Sequence, residues 1–316
     1  MKAVVYEQFG GAEKLRMADL PIPKPADNEV QIRIHYTSVN PVDWKIREGF
    51  LSGRLPYEFP LTPGWDAAGV VTAVGKNVKH LKEDDEVYAY CRKDTVHEGT
   101  YAEYICFDAE HVALKPKKCS FAEAAAMPLT ALTSWQALFD IGQLKKGQIC
   151  LIHAGAGGVG SFAIQLAKWA GAEVITTCSQ ENFDYVKKLG ATLAIDYHKD
   201  DFSEVIKKKY PKGIDLVFEM IGGETMQKSA RLLKKGGKIV GIVEKLDPDE
   251  AEKLGIESHY VFVRPNGEQL TEMAKLIDAK KIQSPFIEEM RLQDAASAQE
   301  KSKEGHTRGK IVLKVS

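Results

Sequence analysis

The chain has 316 residues, enough for about two domains and for a core that needs neither disulfides nor a metal to hold it. Hydrophobic residues make up 44% and charged residues 28%, which excludes a disordered or collagen-like chain. With 43 Lys and Arg against 44 Asp and Glu the net charge is −1, so a general basic field for nucleic acid is excluded, although a local patch is not, and no apolar run reaches the ~18 residues of a membrane span.

The segment Met1-Lys2-Ala3-Val4-Val5-Tyr6-Glu7 has no apolar leader core and reads as a strand, so a cytoplasmic protein is expected. Residues 1 to about 120 are β-rich. Short apolar or alternating runs at 3–6, 30–38, 67–74, 86–89 and 101–106 are separated by Gly, Pro, Asp and Asn turns, as in a compact β-barrel. Pro21-Ile22-Pro23-Lys24-Pro25 forms an extended loop, because proline fixes φ and lacks a donor. The five cysteines (Cys91, Cys106, Cys119, Cys150 and Cys178) are odd in number and form no C-x-x-C pair, which fits reduced thiols.

The pattern changes after Phe121. Residues 122–127 and 129–140 have helical composition, and a regular alternation follows. Strands are expected at 149–153, 174–178, 193–196, 215–219 and 238–243, with a sixth at 260–263. Helices are expected between them at 161–170, 183–189, 202–210 and 225–233. Such alternation implies right-handed βαβ units and an α/β, doubly wound parallel sheet. One more helix, at 268–280, precedes a polar stretch. The chain then runs into Gly309-Lys310-Ile311-Val312-Leu313-Lys314-Val315, a strand able to return to the first sheet.

Residues 155–160 read Gly155-Ala156-Gly157-Gly158-Val159-Gly160. This G-x-G-x-x-G follows an apolar strand and opens a helix, the context a dinucleotide site requires. The glycines allow a tight turn and let backbone N–H groups approach a pyrophosphate, and the helix dipole faces it. His153, just before the loop, reads as a hydrogen-bonded core residue in preference to a catalyst. An NAD site places Asp or Glu at the end of the second strand. Here that place holds Ser179, a neutral hydroxyl that tolerates a 2′-phosphate, so NADPH is favoured. Gln180-Glu181-Asn182 follow without a basic residue. Tyr197, at the end of the third strand, either flanks the adenosine or is a half-exposed strand tyrosine.

Further segments stand in one order: Ser38-Val39-Asn40-Pro41-Val42-Asp43 with Lys45; Pro63-Gly64-Trp65-Asp66 running into Ala67-Ala68-Gly69; Gly99-Thr100-Tyr101-Ala102-Glu103-Tyr104; Pro128 through Leu132-Thr133-Ser134-Trp135; Asp215-Leu216-Val217-Phe218-Glu219 with Gly222-Gly223; and Gly309-Lys310-Ile311. In these residues and the glycine loop the chain resembles the zinc-independent quinone oxidoreductases of the medium-chain dehydrogenase/reductase superfamily. That group includes zeta-crystallin-like proteins and enone reductases. The resemblance runs nearly end to end. It implies a chaperonin-10-like β-barrel domain at 1–124, a Rossmann dinucleotide domain at 125–265, and a segment at 266–316 returning to the first domain. The cofactor, NADPH, would lie in the cleft between the domains.

Two departures stand out. Many NADPH-using relatives carry Arg or Lys where this chain has Glu181. Zinc-dependent relatives carry Cys near position 40, Gly-His-Glu at 64–66 and four cysteines near position 91, whereas this chain has Asn40, Gly64-Trp65-Asp66 and a lone Cys91. Neither a catalytic nor a structural zinc set is available. An acceptor that is already electrophilic, a quinone or a carbon–carbon double bond conjugated to a carbonyl, then suits the chemistry better than an alcohol.

By resemblance, Asn40 and Thr133 position the nicotinamide or the substrate carbonyl, and Asp43 and Trp65 shape the substrate pocket. Lys45 is either a cation beside the developing oxyanion or a solvated surface lysine. Asn40-Pro41 also reads as a simple turn. The backbone at Ile221, Ile242, Val243, Phe262 and Val263, loop positions at the carboxyl ends of strands, would flank the nicotinamide ribose, and Ser179, Asn182, Tyr197 and Lys310 complete the cofactor set. The apolar edge at 260–263 suggests a homodimer. Two alternatives stay open beside the NADPH-dependent reductase: a zinc-free alcohol or aldehyde dehydrogenase, and a nucleotide-binding protein with a structural or regulatory role.

Overall fold

A computed structural model describes residues 1–305 and 307–316. The chain forms two compact units, one of residues 1–132 with 264–316, the other of residues 133–263. The expected divisions at 124/125 and 265/266 stand eight residues before and two residues after these.

The first unit opens with β1 (Lys2–Val5) paired to β2 (Arg16–Asp19), then β3 (Glu29–Ser38), α1 (Pro41–Arg47), β4 (Asp66–Val74), β5 (Glu86–Tyr90), β6 (Tyr104–Asp108), β7 (Val112–Leu114) and α2 (Phe121–Ala125). α3 (Pro128–Trp135) runs on into a single π-helical turn over Gln136–Ile141, where one unbroken α-helix was expected. The apolar positions of β3–β6, among them Val30, Ile32, Val71, Val87 and Ile105, are buried in one cluster, the period-2 burial expected of half-buried strands.

The second unit alternates without interruption: β8 (Ile149–Ile152), α4 (Gly158–Trp169), β9 (Glu173–Cys178), α5 (Phe183–Leu189), β10 (Leu193–Asp196), α6 (Phe202–Lys209), β11 (Ile214–Glu219), α7 (Gly223–Ala230), β12 (Leu233–Gly241), α8 (Pro248–Leu254) and β13 (Glu257–Tyr260). Its six strands pair in the order β10-β9-β8-β11-β12-β13, every pair parallel. The order reverses between β8 and β11, the switch point at which ligands bind in open α/β sheets. Two expectations need correction. α4 begins three residues before the expected Ser161, with Gly158 and Gly160 inside it. The sixth strand is Glu257–Tyr260, so Phe262 and Val263 lie beyond it; parallel pairing to β12, from Lys238↔Glu257 to Gly241↔Tyr260, sets that register.

The chain then re-enters the first unit with α9 (Gly267–Asp278), β14 (Ile287–Arg291), α10 (Ala295–Glu304) and β15 (Lys310–Lys314). α10 occupies what read as a polar stretch. β15 lies inside the first unit's seven-stranded sheet, parallel to β14 and antiparallel to β3.

Candidate active site

In the second unit the glycine loop leaves β8 through Ala154, whose φ of 48° is left-handed and strained for a residue with a side chain. Thr177 on β9 holds the turn: Ala154 N–H donates to its hydroxyl at 3.3 Å and Gly155 N–H to its carbonyl at 3.0 Å. The three motif glycines answer to different demands. A Cβ on Gly155 would stand 2.0 Å from the Thr176 hydroxyl, and one on Gly160 2.3 Å from the Ala154 carbonyl oxygen. On Gly157 it would meet, among the described residues, only the Ala154 oxygen at 3.4 Å, an ordinary contact, and φ there is −76°. Nothing in the protein's own packing therefore requires glycine at 157. An incoming phosphate does. Ser134 Oγ donates to the Val159 carbonyl at 2.9 Å, tying α3 to the loop.

His153 is a core residue. Its Nδ1 meets Thr177 Oγ1 at 2.9 Å and its Nε2 meets Ser229 Oγ at 2.8 Å, and burial lowers its pKa to about 3. The ring is neutral and braces the loop against α7.

At the end of β9, Asn182 Nδ2 donates to Ser179 Oγ at 2.8 Å, and Ser179 Oγ donates to Glu181 at 3.3 Å. The Lys199 ammonium, on the turn after β10, donates to the side-chain carbonyl of Gln180. A basic group thus stands beside Gln180, next in sequence to Ser179, and comes from a different segment from the one that holds Glu181. Tyr197 is half-exposed, its ring 4.2 Å from that of His198.

After β11, the buried Glu219 carboxylate accepts the N–H groups of Ile221 at 3.0 Å and Gly222 at 2.9 Å. Burial raises its pKa, against the pull of those bonds. Glu219 fixes the turn that presents Ile221, and sequence reasoning named Ile221 without it. Ile221, Val243 and Phe262 are exposed, Ile242 is partly so, and Val263 is buried. The first four form an apolar rim at the carboxyl ends of β11–β13.

In the first unit, Asn40 precedes α1. The Asp43 carboxylate caps the helix by accepting Asn40 N–H at 2.8 Å and also accepts the Tyr101 hydroxyl at 3.0 Å. The Asn40 side chain is only 1% exposed. Its Nδ2 donates to Asp66 Oδ2 at 2.7 Å and its Oδ1 accepts from Lys310 Nζ at 2.5 Å. Lys310 also donates to the Val39 carbonyl at 2.6 Å and lies 3.8 Å from Asp66. Asp66 further accepts Ser38 Oγ and Leu129 N–H, each at 2.7 Å. Burial raises Asp43 to about 7 and lowers Lys310, opposed by the attraction of Asp66 and Asp43.

Asn40, Asp43 and Lys310 are therefore brought together, with Asp66, as one buried polar network. Two expected roles change with it. Lys310, expected on the cofactor, is buried with its donors committed to Val39 and Asn40. Asn40 begins a helix where a turn was the alternative, and its amide is spent inside the protein. Trp65 is buried edge-on against Tyr90, with ring centres 5.9 Å apart. Lys45, on α1, is partly buried with its ammonium 5.5 Å over the Trp44 ring. Thr133 is buried near the end of α3. Among the described residues no group of three or more His, Cys, Asp or Glu is placed to hold a metal ion, and no helix is long and apolar enough to cross a membrane.

Comparison with known proteins follows this division. Residues 26–117 match the alcohol dehydrogenase GroES-like domain and residues 189–313 the zinc-binding dehydrogenase family. An NADPH-dependent alkenal/one oxidoreductase of Arabidopsis thaliana chloroplasts is 35% identical over 99% of this chain and 79% of its own. The quinone oxidoreductase of Coxiella burnetii superposes with a TM-score of 0.88 at 35% identity, over 100% of this chain and 99% of its own. That of Escherichia coli, solved with NADPH, gives 0.89 at 28%, over the whole of both chains.

Proposed function

We propose a function on the premise that the chain belongs to the medium-chain dehydrogenase/reductase superfamily and is an oxidoreductase of it: it uses NADPH to reduce a quinone or an α,β-unsaturated carbonyl, without zinc. The observation that carries the reading is Gly157, a glycine the protein's own packing leaves room to replace, at the N-terminus of a twelve-residue helix on the switch point of the sheet.

Gly155–Gly160 and the first N–H groups of α4 hold the pyrophosphate. Ser179, Asn182 and Tyr197 receive the adenosine end, with Lys199 offering a charge to the 2′-phosphate. The apolar rim of Ile221, Ile242, Val243 and Phe262, with Val263 behind it, flanks the nicotinamide ribose. When bound, the reduced nicotinamide supplies a hydride. The chain's own task is to orient the acceptor, exclude water and neutralise the charge that develops on the carbonyl oxygen. Lys45 is assigned to that oxygen. Thr133 positions the substrate, and the Asn40–Asp66–Lys310 network with Asp43 keeps the segment from 38 to 45 rigid.

The zinc-free part of the proposal rests on what the three family positions do. Asn40 and Asp66 are hydrogen-bonded to each other and to Lys310, Ser38 and Leu129, and Trp65 packs on Tyr90. None of the three is a free ligand, so the donor set does not fit zinc, and the alcohol reading loses its Lewis acid.

Two finer points belong to the same proposal. β13 is the edge of the six-stranded sheet, with its last residue Tyr260 and the following Phe262 exposed, and pairs with its copy in a homodimer. Five buried cysteines, none in a disulfide, support a reducing compartment such as the cytoplasm. The deciding experiment is steady-state NADPH oxidation against a panel of quinones, 2-alkenals and cyclic enones, with light scattering for the dimer. Tight NADPH binding with no turnover on the whole panel defeats the reductase reading in favour of a structural role.

A further inference from the structure

We propose that the second unit carries a lysine-rich face that docks on an anionic lipid surface; the proposal goes beyond the reductase reading and does not depend on it. All six strands of the parallel sheet begin on one side, and the helices between them end there. The last turns of α4, α5, α6 and α8 place Lys168, Lys188, Lys208 and Lys253 at this side. The strand entries add Lys145 and Lys146 before β8, Lys212 before β11 and Lys235 early in β12. All are exposed.

These loops touch one another. Gly147 N–H donates to the Gly171 carbonyl at 2.9 Å and Gly236 N–H to the Gly255 carbonyl at 2.8 Å. The Lys146 and Lys168 stems pack where side chains on Gly171 and Gly190 would stand. The face is thus continuous along a sheet edge about 24 Å wide, five strand spacings.

Lysines at helix ends have a simple explanation, since they complement the helix dipole. That explanation does not reach the four at strand entries, which sit on no helix. Nor are they there to pair with acids. Two of the nearby carboxylates pair with other lysines, Asp215 with Lys234 and Glu257 with Lys238, and Glu173 accepts the Tyr210 hydroxyl. Among the described residues none of the eight lysines is in an ion pair. In a chain of net charge −1 this is segregation of charge.

An aromatic group sits on the same side. Trp169, the last residue of α4, is 46% exposed beside Lys168, stacked on Trp135 at 6.3 Å and edge-on to Phe139 at 6.1 Å. Exposed tryptophan flanked by lysine is the pairing that seats a protein at a lipid–water interface. Lysine also separates lipid from nucleic acid as the partner. The face has one arginine, Arg231, which pairs with Glu250. Point charges suit a diffuse headgroup field, whereas reading a nucleic-acid backbone favours the arginine fork.

The test uses the full chain in cosedimentation with vesicles of phosphatidylcholine alone or with about 30% phosphatidylserine, in about 0.1 M salt. Binding is expected to the anionic vesicles only and to be lost in about 1 M salt. The triple variant Lys145→Gln/Lys146→Gln/Lys168→Gln should bind about 10²-fold more weakly, roughly 5-fold per lysine, while Lys76→Gln/Lys79→Gln in the first unit binds as the parent does. Trp169→Ala should weaken binding that remains salt-sensitive. An unchanged melting temperature shows that the variants fold; where one does not, the salt and lipid dependence of the parent chain decides. Equal binding to both vesicles, an unaffected triple variant, or binding to an oligonucleotide but not to anionic vesicles overturns the proposal.

Discussion

The Lys310 ammonium donates to the side-chain carbonyl of Asn40, 270 residues earlier in the chain. The bond fixes which way the Asn40 amide faces, so that its nitrogen meets Asp66. Lys310→Met leaves the buried Asp66 and Asp43 without their cation. Unfolding by urea should show a loss of about 3–5 kcal/mol, the cost of breaking a buried ion pair from one side. NADPH affinity of the folded fraction should change less than 3-fold, because Lys310 spends its donors inside the first unit. A selective loss of NADPH affinity with unchanged stability would return Lys310 to the cofactor.

Gly157→Ala and Gly160→Ala should fail in different ways. At 157 the added methyl has room, and stability should fall by no more than about 1 kcal/mol, the difference between glycine and alanine at an N-cap. NADPH affinity, followed by fluorescence titration, should fall at least 10-fold as the methyl takes the phosphate's place. At 160 the methyl meets the Ala154 backbone at 2.3 Å, so the melting temperature itself should drop, by an overpacking cost of about 1–3 kcal/mol.

Coenzyme preference is expected to be NADPH over NADH by tens-fold, since a 2′-phosphate held by neutral groups and one exposed lysine gains about 1–3 kcal/mol. Ser179→Asp should reverse it by like-charge repulsion. Lys199→Ala should raise KM for NADPH and leave KM for NADH alone. Equal KM values for both nucleotides in the parent protein would mean that Glu181 holds the ribose.

Lys45→Met should lower kcat about 10²–10³-fold, the usual cost of losing one donor aimed at an oxyanion, with NADPH binding nearly unchanged. Full turnover with the best acceptor would make Lys45 no more than a lysine lying on Trp44.

Two buried groups set opposing slopes of stability with pH. His153 has a folded pKa lowered from 6.5 to about 3, so the stability its neutral ring gives is lost as pH falls through that window. Asp43 has a folded pKa raised from 3.8 to about 7, so its contribution is present below 3.8 and lost as pH rises toward 7. Between about 3.8 and 6.5 the two nearly cancel. Asp43→Asn removes one of them, and its stability relative to the parent should fall toward acid pH by up to about 1.4 kcal/mol per pH unit. A constant difference between pH 4 and 6.5 in urea titrations would refute the opposition.

The doubly wound sheet was legible because apolar strands and glycine-stopped helices alternate at short spacing. Its glycine loop was legible too, but the start of α4 was not. Gly158 and Gly160 are poor helix formers, and the close approach of Gly160 to the Ala154 backbone overrides that preference. The sixth strand was misplaced because Val261-Phe262-Val263 is the apolar run, whereas an edge strand paired on one side accepts Glu257 and Ser258. α1 had its signals, Asn40 as N-cap and Pro41 at the first helical position, and a turn explained them equally well. The Lys310–Asn40 and Lys199–Gln180 contacts join different segments of the folded chain, so local pattern carries no trace of them.

β15 lies between β14 and β3, second from the edge of the first unit's sheet. Strand β3 leaves the ribosome some 270 residues before its neighbour, an interval of roughly 15–50 s at ordinary translation speed. Through that time the Tyr36–Ser38 end of β3 lacks one of its two neighbours, although β4 and β6 already pair with the strand, while residues 133–263, contiguous in sequence, have all that their own sheet needs. The second unit therefore needs nothing that follows it in the chain, whereas the first unit's sheet is complete only when β14 and β15 have been made. Slowing translation after residue 263 should lengthen the life of a half-folded chain whose unfinished part was made first.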